Sequence, residues 1–133
     1  MKIRTGIDII EVNRIKEAID EMGDTFLNRI FTEEEIQYSN KFKLTKYEHF
    51  AARFAVKEAM FKAISEYAVN KEESLWKNIE VINEKSGKPC VNVEKLTEII
   101  KNNADNMQIK DVDISISHIK DYAIANVVVV FDN

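Results

Sequence analysis

The chain has 133 residues, 19 of them basic and 23 acidic, and its net charge of −4 argues against a general nucleic-acid binder; an anionic ligand must be met by a local pocket. At this length one domain can bury about two thirds of its unfolded surface, so residues 1–133 are expected to form a single unit, and the lone Cys90 leaves no intramolecular disulfide framework. MKIRTGIDIIEVNR places acids where a signal peptide needs an unbroken apolar region, and AIANVVVVF, interrupted by Asn126, is too short to span a bilayer as a helix; a cytoplasmic location is expected.

Ile3 to Ile10 reads as a strand, and Glu11 to Met22 as an amphipathic helix with Val12, Ile15, Ala18, Ile19 and Met22 on one side, stopped by Gly23. In FTEEEIQYS, Thr32 with Glu35 three residues later forms a capping-box pattern, which starts a short helix. Tyr47 to Ile64 lacks Gly and Pro and is a long helix. At about 100° per residue, Phe50, Phe54, Phe61 and Ile64 form one stripe, with Ala52, Val56, Ala59 and Ala63 roughly opposite. Such a helix must be covered on more than one side, by its own chain or by another subunit. Ile79 to Asn83 alternates like a strand, SGKP turns, and Cys90 to Val93 returns. A helix is expected from Val93 or Glu94 to about Asn103, and ISISH with YAIANVVVVF reads as a hairpin. Without a regular βαβ rhythm the class is α+β, with helices packed on a mostly antiparallel sheet.

Two carboxylates stand out: Asp8 near the end of the first strand, and Glu58 at the edge of the phenylalanine stripe. A hard divalent cation such as magnesium commonly takes one or two carboxylates and leaves its other positions to water and substrate phosphate. The same pair also occurs in proteins without metal. Lys62 follows Glu58 at the i, i+4 spacing of an ordinary helix salt bridge; alternatively it reaches a phosphate oxygen. Arg53 and Lys57 fall on another side of the helix and are expected to face solvent or an interface. His118, at the end of SISH, is a hydrogen-bonded strand-end histidine or a phosphate donor; no nucleophile elbow accompanies Ser115 and Ser117, which disfavours a hydrolase triad.

In order along residues 6 to about 129, GIDIIEVNR, RIFTEEE, FAARFAVKEAMFKA, SGKP and SISHIKDYAIANVVV resemble the holo-acyl-carrier-protein synthases, the small bacterial 4'-phosphopantetheinyl transferases. The resemblance implies transfer of phosphopantetheine from coenzyme A to a serine of an apo-acyl-carrier protein, leaving 3',5'-ADP, in the pathway of fatty acid synthesis. It implies that Asp8 and Glu58 hold Mg2+ against the pyrophosphate, with Glu58 and Lys62 as the catalytic pair. Lys62 aids the leaving phosphate, and Arg53, His118 and Gly87 belong to the coenzyme A binding set. It further implies a homotrimer with active sites between subunits. Where the family often presents basic residues on the first helix to an acidic carrier, Arg14 and Lys16 here share it with Glu11, Glu17, Asp20 and Glu21; Lys41, Lys43 and Lys46 offer a second basic cluster. A magnesium-dependent nucleotide pyrophosphohydrolase and a coenzyme A binding module without turnover are the rival readings.

Overall fold

The computed structural model describes residues 1–69, 72–100 and 107–132. In chain order the elements are β1 (Lys2–Glu11), α1 (Val12–Met22), α2 (Asp24–Ile30), α3 (Glu33–Asn40), α4 (Lys46–Ile64), α5 (Glu72–Asn78), β2 (Val81–Asn83), β3 (Pro89–Val91), α6 (Val93–Glu98), β4 (Gln108–His118) and β5 (Tyr122–Asp132). β5 lies at the centre of an antiparallel sheet in the order β1-β5-β4, and β2 and β3 form a separate hairpin. None of the described helices is long and apolar enough to cross a membrane.

Alternation along β5 explains how the sheet packs. Ala123, Ala125, Val127, Val129 and Phe131 are buried on one face, and α4 lies across that face. Alternate residues point the other way, so Ile3, Ile7 and Ile9 of β1 and Ile124 of β5 form an exposed apolar face. The all-round apolar character of α4 has its explanation within the chain. The sheet covers Ala55, Ala59 and Ala63, while Phe50, Ala51 and Ala52 join a second cluster with Val12, Ile15, Ile30 and Phe31. Phe54 and Phe61 of the same helix remain partly buried and rest against Trp76.

Several local expectations are met. Gly23 closes α1 at φ 54, a left-handed backbone that glycine adopts without penalty. The capping box is complete: Glu35 N–H donates to Thr32 Oγ1 at 3.3 Å and Thr32 N–H donates to Glu35 Oε1 at 2.9 Å. The SGKP turn places Gly87 at φ 91. Other boundaries shift. Glu11 belongs to β1, and the first strand of the small hairpin starts at Val81 rather than Ile79. Val93 opens α6 instead of ending β3, because Asn92 Oδ1 accepts from Lys95 N–H at 3.3 Å and caps a helix there. That helix ends at Glu98, short of Asn103, which lies outside the described residues.

Candidate active site

Gly6 sets the geometry at one end of α4. A Cβ at this position would stand 1.8 Å from the backbone carbonyl oxygen of Ala59, so only glycine lets β1 lie directly on the helix. Asp8 follows two residues later on the same face, and Glu58 directly precedes Ala59. The intimate strand–helix contact therefore brings the two carboxylates together. Lys62 completes the group, but not through the expected helix salt bridge. Its ammonium donates to Asp8 Oδ1 at 3.2 Å and to the Ile7 carbonyl at 2.9 Å, reaching across to β1.

The carboxylate pair is electrostatically costly. Burial raises the pKa of Glu58 above the ordinary carboxylic range, the neighbouring charge of Asp8 adds to the rise, and Lys62 opposes both. Asp8 and Glu58 line a cleft of about 520 Å³ whose other walls include Ile10, Arg14, Phe26 and Phe54. Two oxygen donors facing one cleft suit a hard divalent cation, whose charge would relieve their mutual repulsion. Among the described residues no cluster of three or more metal-ligating side chains occurs, so the remaining ligands would be water and substrate oxygens.

Arg53, His118 and Gly87 converge on a second pocket, of about 180 Å³, which shares no lining residue with the first. Arg53 and Glu58 lie five residues apart on α4 and so point about 140° away from each other. Arg53 does not face solvent as its position on the helix suggested; it is 3% exposed. Its guanidinium lies 4.0 Å from the centre of the Tyr38 ring, and Nη2 donates to Asn83 Oδ1 at 2.7 Å. Asn83 in turn donates to the Gly87 carbonyl at 3.0 Å, which ties the SGKP turn to the arginine. Arg53 Nε is buried with no partner. His118 Nδ1 donates to Glu48 Oε1 at 3.0 Å, the bonded strand-end role expected of it, and this leaves Nε2 for a ligand.

Lys57 also departs from expectation, since it is wholly buried rather than exposed. Its three ammonium protons go to Glu35 Oε1 at 2.9 Å, the Trp76 carbonyl at 2.7 Å and the Ile79 carbonyl at 2.6 Å. Glu35 Oε2 accepts from Val81 N–H at 3.0 Å. Burial lowers the pKa of Lys57, and the Glu35 charge counters that loss. The period of α4 alone could not distinguish this sealed pair from an exposed lysine, because its partners come from α3, from α5 and from the segment joining α5 to β2. The capping box was the one visible sign that Glu35 is held in place.

Two carboxylates and a lysine gathered at the strand–helix contact, with a separate arginine–histidine pocket on another side of α4, suit a phosphoryl-handling enzyme. The sequence profile of the 4'-phosphopantetheinyl transferase superfamily matches residues 4–127, and the chain belongs to this family. Among curated proteins it is 42% identical over 127 residues to the holo-[acyl-carrier-protein] synthase of Halothermothrix orenii, a match covering 92% of this chain and 93% of that protein. The synthase of Thermodesulfovibrio yellowstonii is also 42% identical, covering 93% and 95%. Among solved structures, the Bacillus anthracis holo-(acyl-carrier-protein) synthase in complex with CoA (3',5'-ADP) is 35% identical with a TM-score of 0.70, covering 95% of this chain and 94% of that one. The Helicobacter pylori synthase in complex with coenzyme A is 30% identical with a TM-score of 0.72, covering 95% and 99%.

Proposed function

We propose that this chain is a holo-[acyl-carrier-protein] synthase that moves the 4'-phosphopantetheine group of coenzyme A onto a serine of an apo-acyl-carrier protein and releases 3',5'-ADP. The observation that carries the reading is the meeting of Asp8, Glu58 and Lys62 at the Gly6 contact. In the reaction the serine oxygen forms a bond to the phosphorus that bears pantetheine, and the bond from that phosphorus to the bridging oxygen breaks. Negative charge then grows on the departing 3',5'-ADP phosphate. Lys62, half exposed and paired with Asp8 of β1, would meet that charge. The serine proton would pass to Glu58, a carboxylate of the same cleft, or to a water beside it. A magnesium ion held by Asp8 and Glu58 would supply Lewis-acid neutralisation of the pyrophosphate.

The second pocket takes the other end of the same substrate, with Arg53, His118 and the Gly87 turn receiving the 3'-phosphoadenosine part. Because the two pockets share no wall, coenzyme A bridges one subunit's Asp8 cleft and its neighbour's Arg53 pocket in a homotrimer. The exposed face of Ile3 (56%), Ile7 (58%) and Ile9 (62%) supplies an apolar surface for such an assembly. On α1, Lys16 is engaged by Asp20 at 2.9 Å, whereas Arg14 lines the catalytic cleft and faces the incoming carrier. The setting is cytoplasmic fatty acid synthesis.

The test is to incubate the protein with coenzyme A, magnesium and apo-carrier and to weigh the carrier by mass spectrometry. A gain of one phosphopantetheine group is expected. Release of 3',5'-ADP without carrier would favour the pyrophosphohydrolase, and binding without turnover the passive module. Sedimentation checks the assembly: a trimer is expected at micromolar concentration, and Ile7→Glu with Ile9→Glu should dissociate it and lower turnover. A fully active monomer would end the shared-site proposal.

A further inference from the structure

His49 lies one turn before Arg53 on α4, and both of the chain's two histidines line the Arg53 pocket. The His49 ring stacks on Phe42, with centroids 3.7 Å apart and planes 4° from parallel, and meets the His118 ring edge-on at 5.0 Å. Its Nδ1 lies 2.9 Å from the Thr45 carbonyl oxygen. A carbonyl cannot donate, so Nδ1 carries a hydrogen and Nε2 is the basic nitrogen. The same logic holds for His118, whose Nδ1 faces the Glu48 carboxylate. The pocket thus offers two imidazoles with the same ring nitrogen tied back, beside the buried, unpartnered Nε of Arg53.

Three cationic or potentially cationic groups sharing one small pocket are costly until an anion arrives. We infer that His49 is a further phosphate-binding residue of this pocket, and that it takes up a proton at Nε2 when the 3'-phosphate of coenzyme A enters. The inference rests on the assignment of this pocket to the 3'-phosphate end. The groups facing His49 are His118 from β4, Arg53 and Glu48 from α4, and the Tyr38 ring from α3, 6.0 Å away. Burial holds the pKa of His49 below its ordinary value, helped by the charges of His118 and Arg53 and opposed by Glu48 and the Thr45 carbonyl. The free pocket therefore holds a neutral imidazole at pH 7. A bound phosphate dianion favours the charged form, so proton and ligand bind together. With this sign, coenzyme A affinity rises as pH falls from about 8 toward 6.5, until the phosphate itself protonates near its own second pKa of about 6.

Calorimetry at pH 7 in buffers of different ionisation enthalpy measures the protons taken up. The wild type should take up protons with coenzyme A and fewer with 3'-dephospho-coenzyme A, and should bind coenzyme A more tightly. His49→Phe, which keeps a ring to stack on Phe42, should weaken coenzyme A binding about tenfold, the order of one charge-assisted hydrogen bond, and should leave 3'-dephospho-coenzyme A binding unchanged. The difference in proton uptake should vanish with it. His49→Gln keeps a donor that cannot titrate; it should restore part of the affinity and none of the uptake. If wild type binds the two ligands equally, the assignment of the pocket to the 3'-phosphate is wrong, and the inference with it. If wild type prefers coenzyme A but His49→Phe keeps both the affinity and the uptake, the pocket assignment stands and the role of His49 is overturned.

Discussion

Lys57 and Lys62 stand on the same helix, five residues apart, and each meets a carboxylate from another element. Lys57 is sealed: both it and Glu35 have side chains at 0% exposure, and every ammonium proton has an acceptor. The Lys62 side chain is 56% exposed, and its partner Asp8 also faces Glu58. The sealed pair has satisfied its bonding and has nothing to offer a substrate. The open pair is a carboxylate too many, with an ammonium able to swing to a new anion. The difference separates a lysine whose bonding is closed within the fold from one left open to a ligand, a contrast that residue type alone does not reveal.

The sharpest way to break this comparison is Lys57→Met. It leaves Glu35 charged and buried without its cation, and removing one member of such a pair costs on the order of 3–5 kcal/mol. A denaturation midpoint should fall accordingly, while the surviving folded protein keeps its turnover per site. Lys62→Met should show the reverse. Exposed pairs contribute about 0.2–1 kcal/mol, so the midpoint should barely move. Turnover at saturating coenzyme A should fall about 10²-fold, equivalent to about 2.7 kcal/mol of barrier, and coenzyme A affinity should fall less because charge is greatest in the transition state. A variant with normal melting and near wild-type transfer would reduce Lys62 to a surface contact.

Glu58 combines a small expected gain in stability with a loss of activity. The raised pKa of Glu58 means that its charged form weakens the fold: the cost is fully present at pH values above the folded-state pKa, and stability recovers as pH falls through that value toward the unfolded one. Glu58→Gln should accordingly raise the midpoint slightly at pH 7, flatten this acid-side recovery, and abolish transfer. Magnesium should stabilise wild type more than the variant, since binding to the native state alone shifts the melting curve. A stabilising substitution that destroys activity is the signature expected of a site under electrostatic tension.

The sequence made one side of the comparison legible and hid the other. Asp8, Glu58 and Lys62 could be singled out because a carboxylate beside an oily stripe is unusual and because their order matched a known family. Their meeting depends on Gly6, whose value appears only when a Cβ would strike the Ala59 backbone. The strands and the capped helices were readable from alternation, Gly23 and Thr32 with Glu35. The burial of Arg53 and Lys57 was not, since periodicity reports a direction from the helix axis and not what another element places there. α2 and α5, each only 7 residues long, are too short for a helical stripe to repeat, and α2 has no side-chain cap of the kind that marks α3.

Phe54 forms part of the wall of the Asp8–Glu58 cleft, and its ring stacks against Trp76 with centroids 5.3 Å apart and planes 18° from parallel. Phe61, one helical turn beyond Glu58's own face, meets the same indole edge-on at 4.9 Å. Trp76 is the chain's one tryptophan. The protein thus contains a built-in fluorophore coupled through a single ring to the wall of the Asp8–Glu58 cleft. On the proposed function its emission should change when coenzyme A fills that cleft, a readout that needs neither a label nor a chemical step.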